Sequence, residues 1–167
     1  LVPEERKQQG LVVEQSINDN IGLPNLSRMF RRGVINIRKQ AALSKEYVDR
    51  LAIRTPSIDQ HVKFLSGGNQ QKALLARWLE AGVKVLLLNE PTWGVDVGAR
   101  FDIYDLLEDL AGEGLAILLV SSDIQEVLAV SHRILTIYHG QITAEFAQAE
   151  ATQEKLLRAA SGVSAHE

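Results

Sequence analysis

The chain has 167 residues, 46% of them hydrophobic, with Lys+Arg 18 against Asp+Glu 21 and a formal net charge of -3. That length suits one domain or part of one with a sizeable core, and the mildly acidic balance argues against a nucleic-acid binder, whose phosphate contacts need a basic surface. The absence of cysteine excludes disulfides and thiolate zinc sites, and no apolar run approaches the roughly 20 residues of a membrane-spanning helix. The sequence opens Leu1-Val2-Pro3-Glu4, without Met and without the pattern of a signal peptide, so we expect it to start inside a longer protein, with the cytoplasm as the default location.

Residues 1–23 are mixed, with an apolar patch at Leu11-Val12-Val13 and turn signals at Gly10 and Gly22-Leu23-Pro24. Residues 26–54 read as irregularly helical: Leu43, Tyr47, Val48 and Leu51 form an apolar stripe and Ser44 is an expected N-cap. Thr55-Pro56-Ser57 breaks the pattern. Ser66-Gly67-Gly68 opens a helix carrying Leu74, Leu75, Trp78 and Leu79, ended by Gly82. A buried strand is expected at Val83–Leu88, followed at once by Asn89-Glu90-Pro91-Thr92, and an amphipathic helix from about Ala99 to Leu110. The strand Leu115–Val120 comes next. Ser121-Ser122-Asp123 then caps a helix from Ile124 to Val130, with Ser122 as the expected cap residue. Arg133–Tyr138 and Gln141–Phe146 read as a hairpin about His139-Gly140, and residues 152–160 as a short helix. Strands alternating with helices predict an α/β fold with a parallel sheet covered on both faces.

The sharpest chemical feature is Leu65-Ser66-Gly67-Gly68-Asn69-Gln70-Gln71-Lys72. Two glycines let backbone approach a ligand, the helix behind them points its amides and positive dipole end outward, and Ser66 adds a hydroxyl. This is an anion site suited to a terminal phosphate. For Ser-Gly-Gly alone an ordinary Ser cap would be the better reading. The whole octapeptide, followed at a fixed distance by a buried strand ending in an acidic residue, reverses that.

That octapeptide resembles the signature motif of ABC ATPases, in the form found in sugar importers of the ribose, galactose and xylose type. Val85-Leu86-Leu87-Leu88-Asn89-Glu90-Pro91-Thr92 resembles the Walker B segment, Gly94-Val95-Asp96-Val97-Gly98-Ala99 the D-loop, Ile117–Ser122-Asp123 the switch strand, and Val2-Pro3-Glu4-Glu5-Arg6-Lys7 the segment at the Q-loop of C-terminal nucleotide-binding halves. The resemblance implies the C-terminal part of a P-loop NTPase (RecA-like) domain with a helical subdomain. Residues 1–60 would be the Q-loop-like segment and helical subdomain, 61–146 the core part, and 147–167 a tail helix. It implies Glu90 and Ser122 as catalytic positions. Leu65, Ser66, Gly67, Gly68, Asn69, Gln70, Asp96 and Glu4 would contact nucleotide, and Asn89 would stand at the metal position. It implies ATP and Mg²⁺ held through a partner half, with a second ABC ATPase half, a membrane permease and, indirectly, a periplasmic sugar-binding protein as partners. The location would be the cytoplasmic face of the plasma membrane.

Several positions depart from the family pattern. Asn89 replaces the expected Asp, and a neutral amide cannot supply the charge that helps hold Mg²⁺. Ser122 replaces the switch His and Glu4 the usual Gln, as in C-terminal sugar-importer halves, and Trp93 stands where Arg is usual. The phosphate-loop pattern needs Gly followed by Lys, and none of the 12 glycines is so followed. The chain is therefore expected not to bind ATP tightly alone. In the family two halves dimerise head to tail, and the signature of one closes on the ATP of the other. Alternative expectations are a non-catalytic dimerisation module or the remnant of a disrupted gene. Asp96 as a plain turn residue, Ser122 as a plain cap, and the basic cluster Arg28, Arg31, Arg32, Arg38, Lys39 as a solvated face are the rival local readings.

Overall fold

The computed structural model describes residues 1–25, 30–31 and 34–162, and the chain folds as two units, Leu1–Leu118 and Leu119–Glu167. In the first, a π-helical turn at Arg6–Gly10 leads to the short helix α1 (Ile17–Gly22), capped by Ser16, whose side chain accepts from Asp19 N. Two-residue strands β1 (Phe30–Arg31) and β2 (Val34–Ile35) pair antiparallel. Then come α2 (Ile37–Arg50), α3 (Gly67–Glu80), β3 (Val85–Asn89), α4 (Val97–Gly112) and β4 (Ala116–Val120), which runs across the unit boundary. The second unit holds α5 (Ile124–Val130), the hairpin of β5 (Arg133–Tyr138) with β6 (Gln141–Ala147), and α6 (Gln153–Ala160).

Helix α3 is the core of the first unit. Ala73, Leu74, Leu75 and Ala76 are completely buried, and the helix packs against α1, α2, α4 and the turn at Arg6–Gly10. Leu74 and Leu75 are the positions the helical periodicity marks. Trp78 is half-buried, and its ring N–H has no acceptor among the described residues. The helix ends at Gly82, whose φ of +70° is a left-handed stop that glycine takes without strain.

Helix α2 departs from expectation. Its cap is Asn36, which accepts from Lys39 N, and Ser44 lies in the middle of the helix, where its hydroxyl donates to Asn18 Oδ1 at 2.8 Å. The buried face carries Gln40 and Ser44, while Leu43, Tyr47 and Val48 are half-buried. Polar contact with α1 rather than an apolar stripe fixes this helix, because Gln40 Nε2 also donates to Asn18 O at 3.0 Å. Of the basic cluster, Arg28 and Arg32 lie outside the described residues, and Arg38 and Lys39 are exposed.

Strands β3 and β4 are hydrogen-bonded neighbours joined through α4, and Val2 makes a parallel bridge to Leu88 on β3. Leu86 and Leu88 are buried, but Val85 and Leu118 are each 57% exposed and Leu87 is 39% exposed. The expected sheet covered on both faces is thus covered on one among the described residues. A run of aliphatic residues reads as doubly buried, yet burial alternates here because nothing among the described residues lies over the second face.

In the second unit the hairpin pairs Arg133 with Ala147 through Tyr138 with Gln141, with an irregularity at Thr136/Ile137. The side chains of Thr136 and Thr143 meet at 2.9 Å. Helix α6 packs on β5 and buries Leu156. The α5 cap is corrected: Asp123, not Ser122, caps it, accepting from Gln125 N at 3.0 Å and Glu126 N at 3.4 Å. A carboxylate one residue nearer the helix takes the amides that Ser122 was expected to take.

An apolar strand face left open drives association. The chain expressed as it stands is expected to bind a hydrophobic dye and self-associate, and Leu87→Gln with Leu118→Gln is expected to reduce both without lowering helix content. Analytical ultracentrifugation with circular dichroism reads this; a monomeric, sharply melting parent chain would contradict it.

Candidate functional site

The site grows from the exit of β3. The strand ends at Asn89, whose N–H donates to Val2 O at 3.0 Å. Glu90 then adopts φ +46°, the left-handed region that a non-glycine residue occupies at a cost. Two tight turns follow, closed by Trp93 N to Glu90 O at 3.0 Å and Val95 N to Thr92 O at 3.1 Å. Pro91 and Thr92 are buried in them, and Gly94 takes φ +65°. Asp96 caps α4, its Oδ1 accepting from Ala99 N at 3.0 Å. The cap is a short-range requirement of α4, so its turn-residue role is real whatever else Asp96 does.

Opposite stands the tip of α3. Ser66 is exposed and is the N-cap; its Oγ accepts from Asn69 N at 3.4 Å and from Asn69 Nδ2 at 2.9 Å. Asn69 is itself held, because its Oδ1 accepts from Arg54 N at 2.8 Å. Both bonds to Ser66 use its oxygen as acceptor, so its O–H proton can be donated outward. The N–H groups of Gly67 and Gly68 find no acceptor among the described residues, as first-turn amides do unless a ligand or water supplies one.

The glycines are explained first by the chain itself. A Cβ on Gly67 would lie 2.8 Å from Gly94 O, and one on Gly68 would lie 2.6 Å from Ala99 Cβ. The tip is pressed against the turn after β3 and the start of α4, and any side chain there would separate them. This internal approach requires glycine at both positions whether or not a ligand also approaches there.

A polar cleft of about 450 Å³ opens between the two elements, lined by Arg54, Ser66, Asn69, Lys72, Asp96 and Asp102 among others. Lys72 is buried and its Nζ lies 3.3 Å from Asp102 Oδ2. Of the expected site residues, the cleft brings together Ser66, Gly68, Asn69 and Asp96. Gly67 lies against Gly94. Gln70 is buried, its Nε2 donating to Val62 O at 3.1 Å and Leu65 O at 3.2 Å, so its amide is occupied within the fold. Leu65 is half-buried and contributes that carbonyl. Glu4 is half-buried and its carbonyl accepts from Arg6 N at 2.9 Å. Asn89 and Glu90 are half-buried at the end of β3 and do not line the cleft. Ser122 is exposed and belongs to the second unit.

One residue that sequence reasoning missed ties these parts together. Arg6 is buried; its Nη2 donates to Gly94 O at 3.0 Å, its Nη1 donates to Trp93 O, and its Nε reaches Gln70 Oε1 at 3.4 Å. Burial lowers its pKa from the usual guanidinium value, opposed by the charge of Glu5, and it remains a cation. The Lys72–Asp102 pair was also missed; the two lie 30 residues apart, beyond any local spacing rule.

A Mg²⁺ ion does not fit the residues at the end of β3. The donors are one neutral carboxamide, Asn89, and one carboxylate, Glu90, and no group of three or more His, Cys, Asp or Glu among the described residues could hold a metal.

No protein-family model matches the chain. It is 45% identical over 161 residues to the ribose import ATP-binding protein RbsA of Bacillus subtilis (strain 168), covering 96% of this chain and 33% of that protein. It is 45% identical over 159 residues to the xylose import ATP-binding protein XylG of Thermoanaerobacter pseudethanolicus, covering 95% and 32%. The chain therefore spans about a third of the length of the curated relatives it matches. Its fold is similar to that of the dimeric ATP-binding cassette MJ0796 bound to ADP and Pi (TM-score 0.70, 24% identity, 85% of this chain and 60% of that one). It is also similar to a putative metal-chelate type ABC transporter in an inward-facing conformation (TM-score 0.75, 20% identity, 89% and 59%).

Because Asp96 is the cap of α4, Asp96→Ala is expected to cost about 1 kcal/mol of unfolding free energy and Asp96→Asn much less, as read by urea denaturation. Gly67→Ala is expected to cost about 1–3 kcal/mol, because its new methyl would strike Gly94 O.

Proposed function

We propose, for a chain homologous over about a third of their length to sugar-import ATP-binding proteins and folded as part of an ABC ATPase, that it is the signature-bearing side of a composite ATP site. The ATP and its Mg²⁺ sit on the phosphate loop of a partner half. This chain closes over them with the Ser66 hydroxyl, the Gly67 and Gly68 amides and the positive end of the α3 dipole, all directed at the terminal phosphoryl group. Leu65, Asn69 and Gln70 hold that tip in shape, and Asp96 reaches toward the partner from the same cleft.

The observation that carries this reading is the exposed Ser66 hydroxyl, whose O–H finds no acceptor among the described residues, on the rim of a cleft shared with Asp96. Donors that developing charge meets ready-placed need no reorganisation when the phosphoryl group transfers. In the same reading Glu90 orients water, Ser122 stands at the switch position and Glu4 at the Q-loop position of this chain's own, weaker site. Asn89 leaves that site without the charge a metal needs. Residues 1–60 serve as Q-loop-like segment and helical subdomain, 61–146 as core and 147–167 as tail. The assembly couples ATP binding and hydrolysis to carbohydrate import through a membrane permease, at the cytoplasmic face of the plasma membrane, with substrate delivered by a periplasmic binding protein. A second reading, a dimerisation module without a catalytic part, draws on the neutral Asn89.

The test mixes the full chain with a phosphate-loop-bearing half and measures MgATP hydrolysis. Addition is expected to stimulate the rate, and Ser66→Arg to remove that stimulation by a factor on the order of a hundred at unchanged thermal midpoint. Binding without stimulation would favour the dimerisation module. Stimulation untouched by Ser66→Arg would rule out the composite site.

A further inference from the structure

The buried guanidinium of Arg6 sits where three segments meet. Two of its donors go to the consecutive carbonyls of Trp93 and Gly94, the latter two residues before the Asp96 cap. Its Nε reaches Gln70, whose amide holds the carbonyls of Val62 and Leu65, immediately before Ser66. A Cβ on Gly67 would lie 2.9 Å from Arg6 Nη2, so the same guanidinium also fills the seam between the tip and the turn. Each end of this relay stops one or two residues short of a side chain that lines the cleft.

We propose that Arg6 is a positioning residue that sets the distance between Ser66 and Asp96, so that the signature tip and the D-loop meet one nucleotide together; the inference rests on the composite-site reading above. Three features carry it. The planar fork presents donors in fixed directions, which a lysine cannot reproduce at two adjacent carbonyls. Trp93 and Gly94 are exposed residues, but both guanidinium bonds to their carbonyls are part-buried, which strengthens them over bonds fully in water. The contacts span 64 to 88 residues of sequence, so no local hydrogen bond substitutes for them. Any displacement of the segment at Val2–Lys7 then reaches Ser66 and Asp96 together, through one side chain.

The experiment compares the full chain with Arg6→Gln and Arg6→Lys, by amide hydrogen exchange without nucleotide and by ATPase rate with the phosphate-loop-bearing half. In Arg6→Gln, amides of residues 67–70 and 94–99 are expected to exchange about tenfold faster or more, while α1 and the β5–β6 hairpin keep their rates. Arg6→Lys is expected to fall between the two. With the partner half, kcat is expected to drop about tenfold in Arg6→Gln with KM for ATP changed far less, the mark of a lost alignment rather than a lost ligand contact. Exchange that is unchanged, or that rises uniformly over the chain, would overturn the proposal. If Arg6→Gln does not fold, Arg6→Lys decides by the same criterion. Joint loosening of the two segments in a chain that never stimulates the partner would leave Arg6 as their link and instead reject the composite-site reading.

Discussion

The site depends on how closely the tip of α3 approaches the turn that leaves β3. Two bare glycines and one buried guanidinium make that approach workable. Gly67 has no atom to place between the helix and Gly94 O, and Gly68 none to place against Ala99. Arg6 donates to the two consecutive turn carbonyls of Trp93 and Gly94 and so ties the turn to the helix tip. From this seam follow the position of Asp96 at the head of α4, the cleft beside it, and the outward aim of Ser66. The strained φ of Glu90 belongs to the same construction, since the chain must turn sharply at that residue to bring Gly94 against the helix.

The two sides of the site differ in chemical completeness. The α3 tip carries the exposed Ser66 hydroxyl, first-turn amides that find no acceptor among the described residues, and a 14-residue helix behind them, groups that favour an anion. The end of β3 keeps Glu90 but carries the neutral Asn89, so it lacks the paired negative charge that draws a hydrated divalent cation. The composite-site proposal rests on this difference between the two sides. Beside this site, Val85, Leu87 and Leu118 on β3 and β4 stay exposed among the described residues.

Much of the fold was legible because it is written in local pattern. The periodicity of Leu74 and Leu75 marked α3, the aliphatic run marked β3, and His139-Gly140 marked the hairpin turn. The octapeptide at residues 65–72 marked the start of α3, and Ser66 caps it as its sequence neighbours suggest. What escaped has a common cause: the partners are far apart in sequence. Ser44 looked like a cap because Ser favours caps, but its hydroxyl is claimed by Asn18 on another helix. Ser122 lost its cap role to Asp123, a choice between two adjacent good cappers that only geometry makes. Nothing in Pro3-Glu4-Glu5-Arg6 separates a solvent-facing arginine from one that joins Gln70 to Gly94. Local pattern also does not show that the chain itself crowds both glycines, Gly67 against Gly94 O and Gly68 against Ala99 Cβ.

The central claim, that Ser66 meets the outermost phosphoryl group of a nucleotide held by a partner half, is tested most directly with orthovanadate as the stand-in for that group. The full chain, the phosphate-loop-bearing half and MgADP are mixed with vanadate and irradiated, and backbone scission is mapped by mass spectrometry. A hydroxyl within bonding distance of the trapped vanadate is photo-oxidised, so scission is expected at Ser66, dependent on the partner half and absent in Ser66→Ala. Scission confined to other residues, or none at all in a complex shown to have trapped vanadate, would contradict the claim.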